Sequence, residues 1–362
     1  MLRAREGIFS IPVYHPPLAG RDGLRLDFNE NTVGCSPRVL DRLRKISFED
    51  LARYPEKAFA EKKMAEFLGV TDAELLLTNG TDEAIHLLCQ TYLEAGDEGL
   101  IVVPTYSMYR IYMMAASANV ICVPMGANFE FPFSALRDVI TDRTRLIAIA
   151  NPNNPTGTLA PLDQLLALAR FAPQAAVLID EAYFEFCGKS ALAESREYPN
   201  IFVARTFSKA YGLAGLRVGA LIGDVDQLAA VRRVSSPYNV NQIALACLPV
   251  ALEDREFVQN YVSEILESRT RLQGALRAAG IPNWPSEANF VLMRVGSTGD
   301  DARHFTERMR SHGILVRDRS ADYGCEGCVR ITLGPRKHTD KLLDALQATL
   351  EEFGIIQGAP TR

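Results

Sequence analysis

A lysine that closes an apolar strand, followed within a short glycine-rich segment by an arginine, is the layout of an amine beside an anion clamp. Residues Arg205-Thr-Phe-Ser-Lys-Ala-Tyr-Gly-Leu-Ala-Gly-Leu-Arg217 have that layout, with Lys209 after the apolar run Ile201–Val203 and Arg217 at the far end. Two upstream fragments, Asn151-Pro-Asn-Asn-Pro-Thr-Gly157 and Val177-Leu-Ile-Asp-Glu-Ala-Tyr183, also place polar groups directly after apolar runs.

Together these groups suit pyridoxal phosphate. A lysine amine can hold an aldehyde as an imine and then serve as the base that moves a substrate proton, the role expected of Lys209. A pyridine ring withdraws electrons only while its nitrogen stays protonated, and a buried carboxylate favours that form. Asp180 fits. Asn154 and Tyr183 can donate hydrogen bonds to the ring's phenolate oxygen. Arg217 offers the phosphate a bidentate cation, and Thr78-Asn-Gly-Thr-Asp-Glu-Ala-Ile85, a strand end passing through glycine into a helix start, offers backbone N–H groups. Arg330 lies within an apolar strand where an unpaired charge is costly, so a bound carboxylate is the expected partner.

Short apolar runs at Leu75–Leu77, Leu100–Val103, Val120–Val123, Leu146–Ala150, Val177–Ile179, Ile201–Val203 and Val218–Ile222 alternate with helical stretches. Continuous apolar strands separated by helices predict a mainly parallel seven-stranded sheet covered on both faces, an α/β fold. Groups at the carboxyl ends of such strands converge on one crevice, so Asn154, Asp180, Lys209 and the Gly80 turn can meet despite their separation. Asp254–Ala279 has apolar residues at helical spacing and predicts one long amphipathic helix stopped by Gly280. Strands at Phe290–Met293 and Val329–Leu333, with helices around Asp301–Arg310 and Thr339–Phe353, suit a small α+β domain. The expected division is an N-terminal arm over 1–35, a large cofactor-binding domain over 36–252 and a small domain over 253–362. The tail Gln357–Arg362 is expected to be disordered.

With 362 residues and 48% hydrophobic content, the chain can bury one large core and a smaller one. Its net charge of −5, without a basic run, argues against nucleic acid. The N-terminus leads into no apolar leader, and no window reaches the ~18 uninterrupted apolar residues of a membrane span, so a cytoplasmic protein is expected. The seven cysteines have no framework spacing, which predicts reduced thiols. Cys325-Glu-Gly-Cys328 has no second pair to complete a zinc site, so no metal is expected.

The chain resembles the fold-type I pyridoxal phosphate aminotransferases, and among them the histidinol-phosphate aminotransferases. The matching pieces run from Leu26-Asp-Phe-Asn-Glu-Asn31 through Arg53-Tyr-Pro55, Thr81-Asp-Glu-Ala-Ile85, Pro104-Thr-Tyr-Ser-Met-Tyr109, Pro152-Asn-Asn-Pro-Thr-Gly157 and Asp180-Glu-Ala-Tyr-Phe-Glu-Phe186 to Gly313-Ile-Leu-Val-Arg-Asp318 and Cys328-Val-Arg-Ile-Thr-Leu-Gly334. The resemblance implies that Tyr106 stacks on the cofactor ring. It also places Gly80, Thr81, Thr206, Ser208 and Arg217 around the phosphate, puts Asp82 among the cofactor-binding residues and Asn154 also among the substrate-binding ones, and makes Arg330 the grip on the substrate α-carboxylate. Tyr54 would reach the phosphate of a partner subunit, which implies a homodimer. Arg317 and Tyr14 are candidates for the substrate's distal anion.

Thr32-Val-Gly-Cys-Ser-Pro37 stands where the family usually has proline and an aromatic, and Gly80-Thr-Asp82 where it usually has Gly-Ala-Asp. The reaction implied is amino exchange between histidinol phosphate and 2-oxoglutarate, giving imidazole acetol phosphate and glutamate. An aromatic amino-acid aminotransferase and a threonine-phosphate decarboxylase look similar in these motifs. A non-catalytic, cofactor-sensing regulator of the same fold would be expected to carry an added DNA-binding domain, for which no segment precedes Asp27.

Overall fold

The computed structural model describes residues 2–15 and 20–354, so the tail expected to be disordered lies outside the described residues. The arm supplies β1 (Leu24–Arg25). Seven strands, β2 (Leu75–Thr78), β3 (Glu98–Val103), β4 (Asn119–Pro124), β5 (Thr144–Ala150), β6 (Ala176–Asp180), β7 (Ile201–Thr206) and β8 (Gly219–Ile222), form one sheet in the order β2-β8-β7-β6-β5-β3-β4. β8 runs antiparallel to both neighbours and the remaining pairs are parallel. Each apolar run forms its strand. β7 extends beyond Val203 because Arg205 and Thr206 keep pairing with Ala220 and Gly219 after the apolar residues end.

Both faces of this sheet are covered. Leu75, Leu77, Ile147, Ile149, Val177, Ile179 and Val203 pack on one face with Met64, Leu165 and Leu248. The alternate residues Leu76, Leu146, Ala148, Leu178, Phe202 and Leu221 pack on the other with Leu88, Tyr109 and Leu228. Successive strand residues point to opposite faces, so the middle of a strand buried on both sides is apolar at every position.

The helix Arg255–Ala278 buries Val258, Tyr261, Ile265, Leu272 and Leu276 on one stripe and ends before Gly280, whose φ of +69° turns the chain. Beyond it lie β9 (Phe290–Arg294), β10 (Ile314–Leu315), β11 (Arg317–Asp318) and β12 (Cys328–Thr332). β11, β12 and β9 make an antiparallel sheet, flanked by the helices Gly299–Ser311 and Arg336–Glu352.

The arm ties the two parts together. β1 pairs in parallel with β10, and Thr332 N–H donates to the Leu26 carbonyl at 2.9 Å. Upstream, Arg5 donates to the Ala115 carbonyl at the end of the helix Met108–Ala115. A side chain on Gly23 would lie 2.5 Å from the Gly313 carbonyl, so this crossing requires glycine.

Candidate active site

The crevice forms where β2, β5, β6 and β7 end. These strands run in one direction, so Asn154, Asp180, Ser208, Lys209 and the helix beginning at Gly80 all emerge at the same edge of the sheet.

Lys209 Nζ donates to the Phe28 carbonyl at 3.2 Å and lies 6.0 Å from the centre of the Tyr183 ring. Burial, reinforced by the nearby Arg330 cation, lowers its pKa from 10.5 to about 8. The neutral amine a base needs is therefore accessible near neutral pH. Asp180 is only 4% exposed. Burial raises its pKa to about 6, against the pull of two donors, the Tyr109 hydroxyl at 2.7 Å and the Ala182 N–H at 3.1 Å. A carboxylate this deep gains from a cationic partner. The Tyr183 hydroxyl accepts from Asn29 Nδ2 at 2.9 Å, and burial raises its pKa. Asn154 Oδ1 accepts from Arg330 Nη1 at 2.5 Å.

At the opposite end, Gly80 opens the helix Gly80–Tyr92 with a φ of +76°. A Cβ there would fall 2.7 Å from Arg217 Nη2, so glycine lets the guanidinium reach the helix N-terminus. Thr81 lies in the first turn of this helix. Thr206 donates to the Ser208 hydroxyl at 3.0 Å. Asp82 joins two neighbours: one carboxylate oxygen accepts from Arg217 Nη2 at 3.0 Å and the other from the Tyr106 hydroxyl at 2.8 Å. Burial, then Asp82, holds the Tyr106 phenol well above its ordinary range.

Arg330, 5% exposed, donates to the Asp27 carbonyl at 2.7 Å. It pairs in register with Arg317 on the neighbouring strand. Arg317 lies over the Phe28 ring at 5.2 Å, and its Nη1 is buried without a partner among the described residues. Neither arginine forms an ion pair with a carboxylate among the described residues. Tyr14 stands half exposed on the arm, within electrostatic reach of Tyr106.

Tyr54 is set apart from this group. It is 76% exposed and stacks on Tyr238 at 4.4 Å. The next residue, Asn239, binds the Leu77 carbonyl and Glu83, beside the helix that starts at Gly80.

Sequence reasoning gave no role to Tyr109, Asn29, Phe28 or Arg21. Tyr109 lies within a quoted fragment, yet a tyrosine on an apolar helix face is indistinguishable in sequence from a core aromatic.

The sequence family described as aminotransferase class I and II matches residues 21–346. The chain belongs to this aminotransferase family. It is 36% identical over 356 residues to a histidinol-phosphate aminotransferase of Roseobacter denitrificans, covering 95% of this chain and 98% of that one. It is 37% identical over 340 residues to histidinol-phosphate aminotransferase 1 of Thiobacillus denitrificans, covering 92% and 87%. The crystal structure of the Sinorhizobium meliloti histidinol-phosphate aminotransferase in complex with pyridoxal 5'-phosphate superimposes with a TM-score of 0.88 at 27% identity, covering 98% of this chain and 99% of that one.

The aminotransferase's own residues suit such a cofactor. The buried Asp180 carboxylate matches a pyridinium, the depressed Lys209 amine matches an aldehyde, and Arg217 at the glycine-opened helix N-terminus matches a phosphate.

Proposed function

We propose that this enzyme uses pyridoxal phosphate to transfer the amino group of histidinol phosphate to 2-oxoglutarate, giving imidazole acetol phosphate and glutamate. The carrying observation is the in-register pair Arg317 and Arg330, two cations without carboxylate ion-pair partners among the described residues, beside the Lys209 crevice. Glutamate brings an α-carboxylate and a distal carboxylate. Histidinol phosphate brings only a distal phosphate. A site with one grip for each position serves both substrates in turn.

When bound, the cofactor supplies an electron sink that makes the substrate Cα–H bond acidic. Asp180 holds the proton on the pyridine nitrogen. Asn154 and Tyr183 orient the ring through its phenolate oxygen, and Tyr106 covers its face. Arg217, the N–H groups at Gly80 and Thr81, and the hydroxyls of Thr206 and Ser208 fix the phosphate, with Asp82 steadying Arg217. Lys209, as the neutral amine, takes the proton from the substrate α-carbon. Arg330 holds the α-carboxylate, Arg317 and Tyr14 receive the distal anion, and the arm limits water at the mouth.

The reading extends to a cytoplasmic homodimer divided into an arm over 1–35, a large domain over 36–252 and a small domain over 253–362. Phe48, Leu51, Tyr54 and Phe59 are 80%, 62%, 76% and 64% exposed, a concentration of apolar surface that a second copy would cover. Tyr54, presented there, would complete the partner's phosphate site. Among the described residues, no helix is long and apolar enough to cross a membrane.

An amino-donor screen with 2-oxoglutarate as acceptor tests the substrate. Histidinol phosphate should give the highest kcat/KM. A faster aromatic amino acid, or carbon dioxide release from threonine phosphate, overturns the assignment.

A further inference from the structure

We propose that Arg21 is a specificity-determining residue, a second cation beside Arg317 for the distal anion of the substrate. The inference rests on the reading above and adds a residue to it. The Arg21 guanidinium lies over the Phe28 ring at 4.5 Å, on the same ring that Arg317 approaches to 5.2 Å. The backbone carbonyl of Phe28 accepts from Lys209 Nζ. One residue therefore touches the base through its main chain and carries two guanidinium groups on its side chain.

The Arg21 side chain is 8% exposed. A single nitrogen, Nη2, serves both carboxylates, reaching Asp27 and Glu30 at 2.8 Å each. Nε is buried and has no partner among the described residues. Buried donors are ordinarily satisfied, so an unused N–H on a charged group calls for an acceptor. Arg317 Nη1 is in the same condition. Like charges gathered on one ring repel, and an anion shared between them removes both problems at once. Asp27 and Glu30 set against Arg21, Arg317 and Arg330 leave the group one positive charge in excess. Glu30 is the more exposed of the two carboxylates and the one able to yield Arg21 to an incoming anion.

The test compares substrates that differ only in the distal anion, using holoenzyme: histidinol phosphate against histidinol, and glutamate against 2-aminobutyrate. For Arg21→Gln the preference for the anionic member should fall about tenfold or more, through KM, with kcat little changed. Because that variant leaves two carboxylates without their cation, Glu30→Gln supplies the opposite arm. It frees Arg21 and should lower the KM for histidinol phosphate several-fold relative to that for histidinol, whereas any effect of the lost Glu30 charge on the Lys209 amine falls on both substrates alike. Arg21→Gln losses that are equal for both members of each pair, or an unchanged ratio of the histidinol phosphate and histidinol KM values in Glu30→Gln, overturn the role of Arg21. A wild-type enzyme that does not distinguish histidinol phosphate from histidinol overturns the substrate reading instead.

Discussion

The Tyr109 hydroxyl donates a 2.7 Å hydrogen bond to Asp180 Oδ2, joining a helix behind the sheet to the carboxylate at the end of its central strand. This bond holds down the pKa of an acid that burial raises to about 6. Tyr109→Phe keeps the packed ring and removes the donor, so the Asp180 pKa should climb and less of it should be ionised at neutral pH. We expect kcat near pH 7 to fall by about tenfold, with the acid limb of the pH–rate profile displaced upward and activity partly recovered as pH rises. A profile that drops without moving would mean that Tyr109 only packs.

Lys209 couples the site to stability. Its folded pKa of about 8 lies below the unfolded value of 10.5, so below pH 8 the folded state must hold an ammonium that burial disfavours. The penalty is fully present there and fades as pH rises from about 8 towards 10.5, because the folded state sheds its proton before the unfolded chain does. In cofactor-free protein, Lys209→Met should be inactive yet more stable than wild type at pH 7, by something on the order of 2 kcal/mol. Denaturant titrations should show this advantage shrinking by pH 10; an advantage independent of pH would contradict the linkage.

Arg330→Ala removes the grip assigned to the α-carboxylate. The KM for glutamate and 2-oxoglutarate should rise by roughly a hundredfold, with a smaller effect on histidinol phosphate, which has no such group. Separate half-reaction kinetics decide this, and equal losses in both directions argue for a purely structural arginine bound to Asn154 and Asp27.

The exposed stack of Tyr54 on Tyr238 bears on assembly. If each pocket takes Tyr54 from the other chain, Tyr54→Phe and Lys209→Ala are defects in different halves of a composite site. Dissociating and mixing the two variants should produce heterodimers in which one pocket has both native residues, and activity should return. A mixture that exchanges chains yet stays as inactive as its weaker parent would confine Tyr54 to its own subunit or to packing.

Much of the sheet and crevice was legible in sequence for a local reason. The middle of a strand buried on both faces is apolar, so its end is marked by the first polar residues; Asp180 is such a residue, and Asn154 and Lys209 follow within four residues of the ends of β5 and β7. Gly80 and Gly280 likewise announce turns through a backbone conformation that other residues resist.

What only the tertiary structure decided are contacts between residues far apart in the chain. Tyr109 and Asp180 are 71 positions apart, Asn29 and Tyr183 are 154 apart, and Phe28 and Lys209 are 181 apart. Arg317 meets Arg330 through strand register, and Arg21 meets Arg317 through the ring of Phe28. Local periodicity records which face of an element is buried. It does not record which side chain of another element arrives there, because packing register and the return of the arm onto β10 are properties of the assembled fold.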